Sequence, residues 1–197
     1  MNKQVRRVGL ILTMMFIGLF AAATSIQVLR SGELYSDARN VRASYETYKT
    51  LRGAIIVGGV PIVTSVPVND EYRFLREYES VIYNAVTGYF SIFAGSTGIE
   101  RAMNSYISGQ SSAQFFEQIN ALLDGTPVTG AAVELTIDPV AQRAAWDALG
   151  DRKGAVIAME PATGRILAMV SKPTFDANLL ASHQLSEVTE NYEKFIN

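Results

Sequence analysis

The sequence predicts an α+β protein with one membrane-length N-terminal helix, a mixed α/β module in the middle and a strand–helix–hairpin unit at the end. Three observations lead there. Val8–Leu29 runs 22 residues without a charge. Between residues 54 and 123, strand-forming runs broken by glycine turns give way to helically spaced apolar residues. From Val133 a strand, a doubly capped helix and two apolar runs joined by a turn follow one another.

The uncharged run measures about 33 Å as a helix, enough for a hydrocarbon core of about 30 Å. Lys3, Arg6 and Arg7 precede it. The positive-inside rule therefore makes residues 1–7 a cytoplasmic tail and 8–29 a signal-anchor in contact with the lipid bilayer, with everything after it exported. Arg30, Arg39 and Arg42 on the far side weaken that bias. Two other readings compete: a cleaved signal peptide, because Ala21-Ala22-Ala23 resembles a peptidase site, and a buried core helix.

Residues 30–130 read as stalk and module. Leu34, Ala38, Val41 and Tyr45 recur at helical spacing, which suits a membrane-proximal helix or a solvated linker. Ala54–Val57 and Val60–Thr64 read as strands around Gly58-Gly59, with Pro61 at an edge or at a strand start. Tyr72–Tyr78 is rich in strand formers, and Tyr72, Phe74 and Tyr78 would share a face. Val86–Gly98 reads as a loop. Two helical pieces follow, one with Ile99, Ala102, Met103 and Tyr106 on its apolar face, the other with Phe115, Phe116, Ile119, Leu122 and Leu123.

Residues 131–197 begin with an alternating strand, Val133–Ile137. Asp138-Pro139 is a helix start: the carboxylate caps free N–H groups and proline fits the first turn. Val140, Ala141, Ala144, Ala145, Ala148 and Leu149 make an apolar stripe, and Gly150 follows the end. Ala155–Met159 and Arg165–Val170 form a hairpin around Glu160–Gly164. Both arms are nearly continuously apolar, which predicts burial on both faces within a larger sheet. One more helix-like stretch lies near residue 197.

Composition and motifs exclude several chemistries. A net charge of −2 gives no basis for nucleic-acid binding. The absence of cysteine removes disulfides and thiolate catalysis. One histidine and scattered carboxylates make no metal cluster. Ser171-Lys172 is no catalytic dyad, since adjacent strand residues face opposite ways. His183, with Ser182 beside it and Asp176 nearby, reads as a surface histidine rather than part of a triad. Glu100-Arg101 reads as a solvated pair, with a structural ion pair or an interdomain contact as the alternatives. Arg52-Gly53 suits a tight turn beneath a sheet. Gly58-Gly59 lacks the helix start of a phosphate loop.

One set of motifs is specific. Leu135-Thr136-Ile137-Asp138 with Gln142 and Ala145, then Lys153–Ser171 (KGAVIAMEPATGRILAMVS), resembles the opening of a penicillin-binding domain. Pro173–Asn178 is similar to the P-x-Y/F-D-P-N stretch of that family, with Ala177 in place of a proline. Upstream, Arg52-Gly53-Ala54-Ile55, Val86–Tyr89, Gly98–Arg101 and Tyr106–Gly109 resemble the N-terminal module of class B penicillin-binding proteins.

The resemblance implies a bacterial plasma-membrane protein with a single span, an extracytoplasmic pedestal at 30–130 and a truncated start of the transpeptidase domain at 131–197. In that family a serine of Ser-x-x-Lys attacks the D-Ala-D-Ala end of a peptidoglycan stem peptide, and β-lactams trap the same serine. No serine here has a lysine three positions later, and neither Ser-x-Asn nor Lys-Thr-Gly occurs. The expectation is therefore a chain inactive alone, with no catalytic, cofactor or metal residue. The alternative is a stand-alone docking module that pairs with cell-wall or division proteins, or with a second copy of itself.

Overall fold

The computed structural model describes residues 3–29, 48–111, 114, 120, 123–125 and 129–196. The expected stalk helix, and all of the second apolar helix face but Leu123, lie outside them. The chain divides into an N-terminal unit, 1–46, and a second unit, 47–197.

In the first unit, α1 spans Lys3–Thr24 and continues as a π-helical turn, Ser25–Leu29. Lys3–Gln27 is long and apolar enough to cross a membrane, and none of its most apolar stretch is buried by protein.

The second unit is built on a four-stranded sheet. β1 (Ile55–Val57) and β2 (Val60–Pro67) form the expected hairpin. Its two-residue turn needs positive φ at both positions, and Gly58 and Gly59 supply +57° and +78°. β3 (Phe74–Tyr78) pairs antiparallel with β2, and β6 (Val133–Leu135) pairs parallel with β1, giving the order β3-β2-β1-β6 once both are placed. Pro61 sits at the start of an inner strand, beyond the stretch where β3 pairs. The β3 alternation begins only at Phe74, because Arg73 turns left-handed at φ +66°. Tyr72 is still buried, from outside the strand.

The expected loop at 86–98 is more ordered than a loop. A 3-10 turn, Val81–Tyr83, leads into α2 (Asn84–Thr87). A small hairpin of β4 (Phe90–Ser91) and β5 (Gly95–Ser96) follows. α3 (Gly98–Ala102) and α4 (Asn104–Ile107) replace the single helix expected there. Their apolar face was misassigned: Met103 and Tyr106 are exposed, whereas Glu100 and Ile107 are wholly buried.

The C-terminal elements match their signals more closely. α5 spans Pro139–Leu149, and Asp138 accepts from the N–H groups of Val140 and Ala141 at 2.8 Å. β7 (Gly154–Met159) and β8 (Ile166–Lys172) form the hairpin. It stands as a two-stranded sheet, so burial on both faces is not met: Ala168 and Val170 are buried, while Ile157 and Met159 are 62% and 56% exposed. After it come α6 (Asn178–Ala181) and α7 (Leu185–Ile196). One hydrophobic core joins Ile55, Val57, Ile62, Val63 and Tyr78 of the sheet to Ile107, Ile137, Leu180 and Val188. Pedestal-like and C-terminal segments thus share their buried interior.

Candidate functional site

The chemically richest place in the second unit is a buried charge cluster beneath the four-stranded sheet. Arg52 enters it from the segment before β1, Arg76 from the middle of β3 and Glu100 from the first turn of α3. Arg76 lies on the same face of β3 as Phe74 and Tyr78, because strand side chains alternate. Arg52 Nη2 and Arg76 Nε each donate to a different oxygen of Glu100 at 2.7 Å. The three side chains are 3%, 2% and 0% exposed. One carboxylate thus holds two guanidiniums in the interior.

Neighbours complete the bonding. Arg52 Nη1 donates to Asn104 Oδ1 at 2.8 Å, and its guanidinium stacks 3.7 Å over the Phe90 ring. Arg76 Nη1 donates to Ser65 Oγ at 3.1 Å. The Tyr78 hydroxyl donates to Glu100 at 3.4 Å and accepts from Phe90 N–H at 2.7 Å. Burial, with Glu100 adding to it, drives the Tyr78 pKa well above that of a free phenol. Burial likewise lowers Arg52, partly offset by Glu100. The cluster's chemistry is to pin the segment before β1, β2, β3, β4, α3 and α4 together around fixed charge.

Close backbone approach surrounds it. Gly53 N–H donates to Ile107 O at 2.8 Å, and a Cβ on Gly53 would sit 1.9 Å from Ala131 O. A Cβ on Gly130 would sit 1.6 Å from Ile107 O. Gly53 is therefore required by contact and not by a turn, which corrects the sequence reading. Glu100 likewise pairs with Arg52 and Arg76 and not with Arg101, which is exposed.

Two amides join this region to the C-terminal elements. Gln142 is wholly buried on α5. Its Nε2 donates to Ile82 O at 2.6 Å and Met169 O at 2.9 Å, and its Oε1 accepts from Met169 N–H at 2.8 Å. Asn178 clasps the outer edge of β3, accepting from Tyr78 N–H and donating to Tyr78 O, both at 2.9 Å. The clasp occupies edge groups that would otherwise offer themselves to another strand.

The comparisons fit this geometry. A family model described as the penicillin binding protein A dimerisation domain matches residues 52–133, from the first arginine of the cluster to the first residue of β6. Peptidoglycan D,D-transpeptidase PbpA of Mycolicibacterium smegmatis is 38% identical over 98% of the chain. Nearly the whole chain is thus similar to the N-terminal part of penicillin-binding protein A transpeptidases. The relative of the same name from Mycobacterium tuberculosis is 39% identical over 93% of the chain. A solved structure of penicillin-binding protein A from M. tuberculosis, a ceftriaxone acyl-enzyme complex, superposes with a TM-score of 0.74 at 36% identity, covering 78% of this chain and 36% of that one. The chain spans about two fifths of the curated relatives' length, 41% and 38%.

The residues weighed from sequence fall in separate places. Lys172 stacks 3.8 Å over the Trp146 ring and donates to Trp146 O and Gly150 O, capping the end of α5. Ser171 faces the other way. His183 bonds Asp70 and packs on Tyr72 at 5.0 Å, with only 14% of its side chain exposed, so it is less of a surface residue than expected. Ser182 donates to Glu187, and Asp176 accepts from Asn178. No triad forms among the three. Asn104 had no part in the sequence reading, Arg76 entered it only as one residue of the Tyr72–Tyr78 strand, and Asn178 only as the end of the Pro173–Asn178 motif. For Arg76 a signal existed: it stands between Phe74 and Tyr78 at strand period.

Proposed function

We propose that this chain is the anchor, the pedestal and the opening of the penicillin-binding domain of a peptidoglycan D,D-transpeptidase. Residues 8–29 hold it in the plasma membrane with residues 1–7 in the cytoplasm. Residues 30–130 form stalk and pedestal outside, and 131–197 start the domain that processes stem peptides ending in D-Ala-D-Ala. The observation that carries the reading is the β7–β8 hairpin. It is fixed to the pedestal through Gln142, yet presents Ile157 and Met159 to solvent beside a groove of about 400 Å³ bordered by Asn84, Met169 and Phe175. A rigid apolar face of this kind suits cover by further strands and helices of the same domain.

In the proposed reaction a serine attacks the carbonyl of the penultimate D-alanine and expels the terminal one. The acyl group then passes to an amine on a neighbouring strand. The 197 residues contribute position, not nucleophile, since no Ser-x-x-Lys occurs in them. The test is complementation. The chain is co-expressed with a separate polypeptide carrying the rest of the M. smegmatis relative, and membranes are treated with fluorescent penicillin. The expected result is a label on the second polypeptide that depends on the first, with both recovered together. Labelling that is indifferent to the first chain, or a labelled band at this chain's own mass, would overturn the reading and favour a docking role.

A further inference from the structure

We infer that the charge cluster holds a single chloride-sized anion between Arg52 and Arg76. The inference is independent of the transpeptidase reading. It starts from charge: two guanidiniums share one carboxylate, leaving an excess of one positive charge in a place where all three side chains are at least nine-tenths buried. Two donors in the cluster have no partner among the described residues, Arg76 Nη2 and Arg52 Nε. Buried donors are normally satisfied, and charged ones most of all.

Both arginines line one small cavity, together with Tyr48, Ser65, Phe90 and His183. Its free volume is about 10 Å³, room for one small particle. Ser65 Oγ accepts from Arg76 Nη1, so its hydroxyl hydrogen remains to be donated. The lining thus offers donors from two cations and a hydroxyl beside an aromatic wall. A water would satisfy the donors but leave the excess charge. A monoatomic anion satisfies both, and the space is too small for phosphate or an organic carboxylate.

The experiment is thermal unfolding of the full chain in detergent. Chloride or bromide is titrated against gluconate at constant ionic strength, for the wild type and for Arg76→Met. A saturable rise in Tm is expected for the wild type, about 5–10 °C at a hundredfold excess over the dissociation constant. No saturable rise is expected for Arg76→Met, which removes one orphan donor and the surplus charge. If that variant does not fold, the wild-type titration and bromide anomalous scattering decide. A bromide peak within bonding distance of Arg76 Nη2 supports the inference. A flat or merely linear halide response, or a water at that position in bromide, overturns it.

Discussion

Replacing Glu100 with Gln tests what the cluster contributes. The substitution keeps the shape and one acceptor oxygen, but removes the carboxylate bonded to two buried guanidiniums, each at 2.7 Å. Removing one partner of a buried ion pair costs about 3–5 kcal/mol, because the remaining charge is stranded away from water. Two charges are stranded here, and the new amide N–H₂ faces a donor. A loss of about 4 kcal/mol is therefore expected. That is a large part of a typical domain stability of about 5–15 kcal/mol. In urea, followed by far-UV circular dichroism, a slope near 2 kcal/mol/M turns this into a midpoint about 2 M lower. A triple variant, Arg52→Met, Arg76→Met and Glu100→Met, should recover most of the loss, since apolar replacement of a whole buried ionic group is often neutral. A Glu100→Gln midpoint within about 0.5 M of the wild type would refute the argument that the carboxylate neutralises the two cations.

The other predictions concern the amides, the phenol and the helix cap. Gln142→Leu strands Ile82 O and both backbone groups of Met169, so a loss of about 2–4 kcal/mol is expected, with Met169 N–H losing protection from hydrogen exchange; unchanged protection would contradict the assigned bonds. Asn178→Ala frees both Tyr78 backbone groups at the β3 edge, and Tyr78 N–H should exchange faster while the anchor helix is unaffected. Tyr78 has its pKa raised by burial and then by Glu100. Its contribution to stability is therefore complete below the unfolded phenol value near 10 and is lost as pH rises above it. Stability of the wild type should fall more steeply between about pH 10 and 11 than that of Tyr78→Phe; equal slopes would remove Tyr78 from the account. Asp138→Ala should cost about 1 kcal/mol through loss of the α5 cap, measured by urea unfolding.

Elements whose signals are local were legible in the sequence. α5 is written in Asp138, Pro139 and Gly150, each meeting a backbone need at a helix end. The β1–β2 turn is written in two glycines, and the β7–β8 hairpin in its two nearly continuous apolar arms. The charge cluster was not legible, because it depends on three segments meeting. Glu100 was read first as half of a solvated pair with Arg101, a structural ion pair being one alternative, and the neighbouring apolar stripe of Ile99, Ala102, Met103 and Tyr106 was taken as the buried face. Only partners on β3 and before β1 make the opposite face the inner one. Gly53 shows the same limit: its need is set by the Ala131 carbonyl, which sequence spacing cannot place. The hairpin's wet face was misjudged differently. A continuous apolar run reports what a strand can bury, and here one face meets α5 and the other meets solvent.

The parallel pairing of Ile55–Val57 with Val133–Leu135 has a consequence for biosynthesis. A chain made from its N-terminus completes β1 long before β6 exists, so the inner edge of β1 stays open while the intervening residues emerge. During that interval the edge can accept a strand from a neighbouring chain as readily as its own, and kinetic traffic between the two outcomes is set by how fast residues 133–135 arrive. The matched module ends at residue 133. A protein cut there would keep one residue of its fourth strand and lose the rest, so that boundary is a seam through a sheet and a poor place to divide the chain.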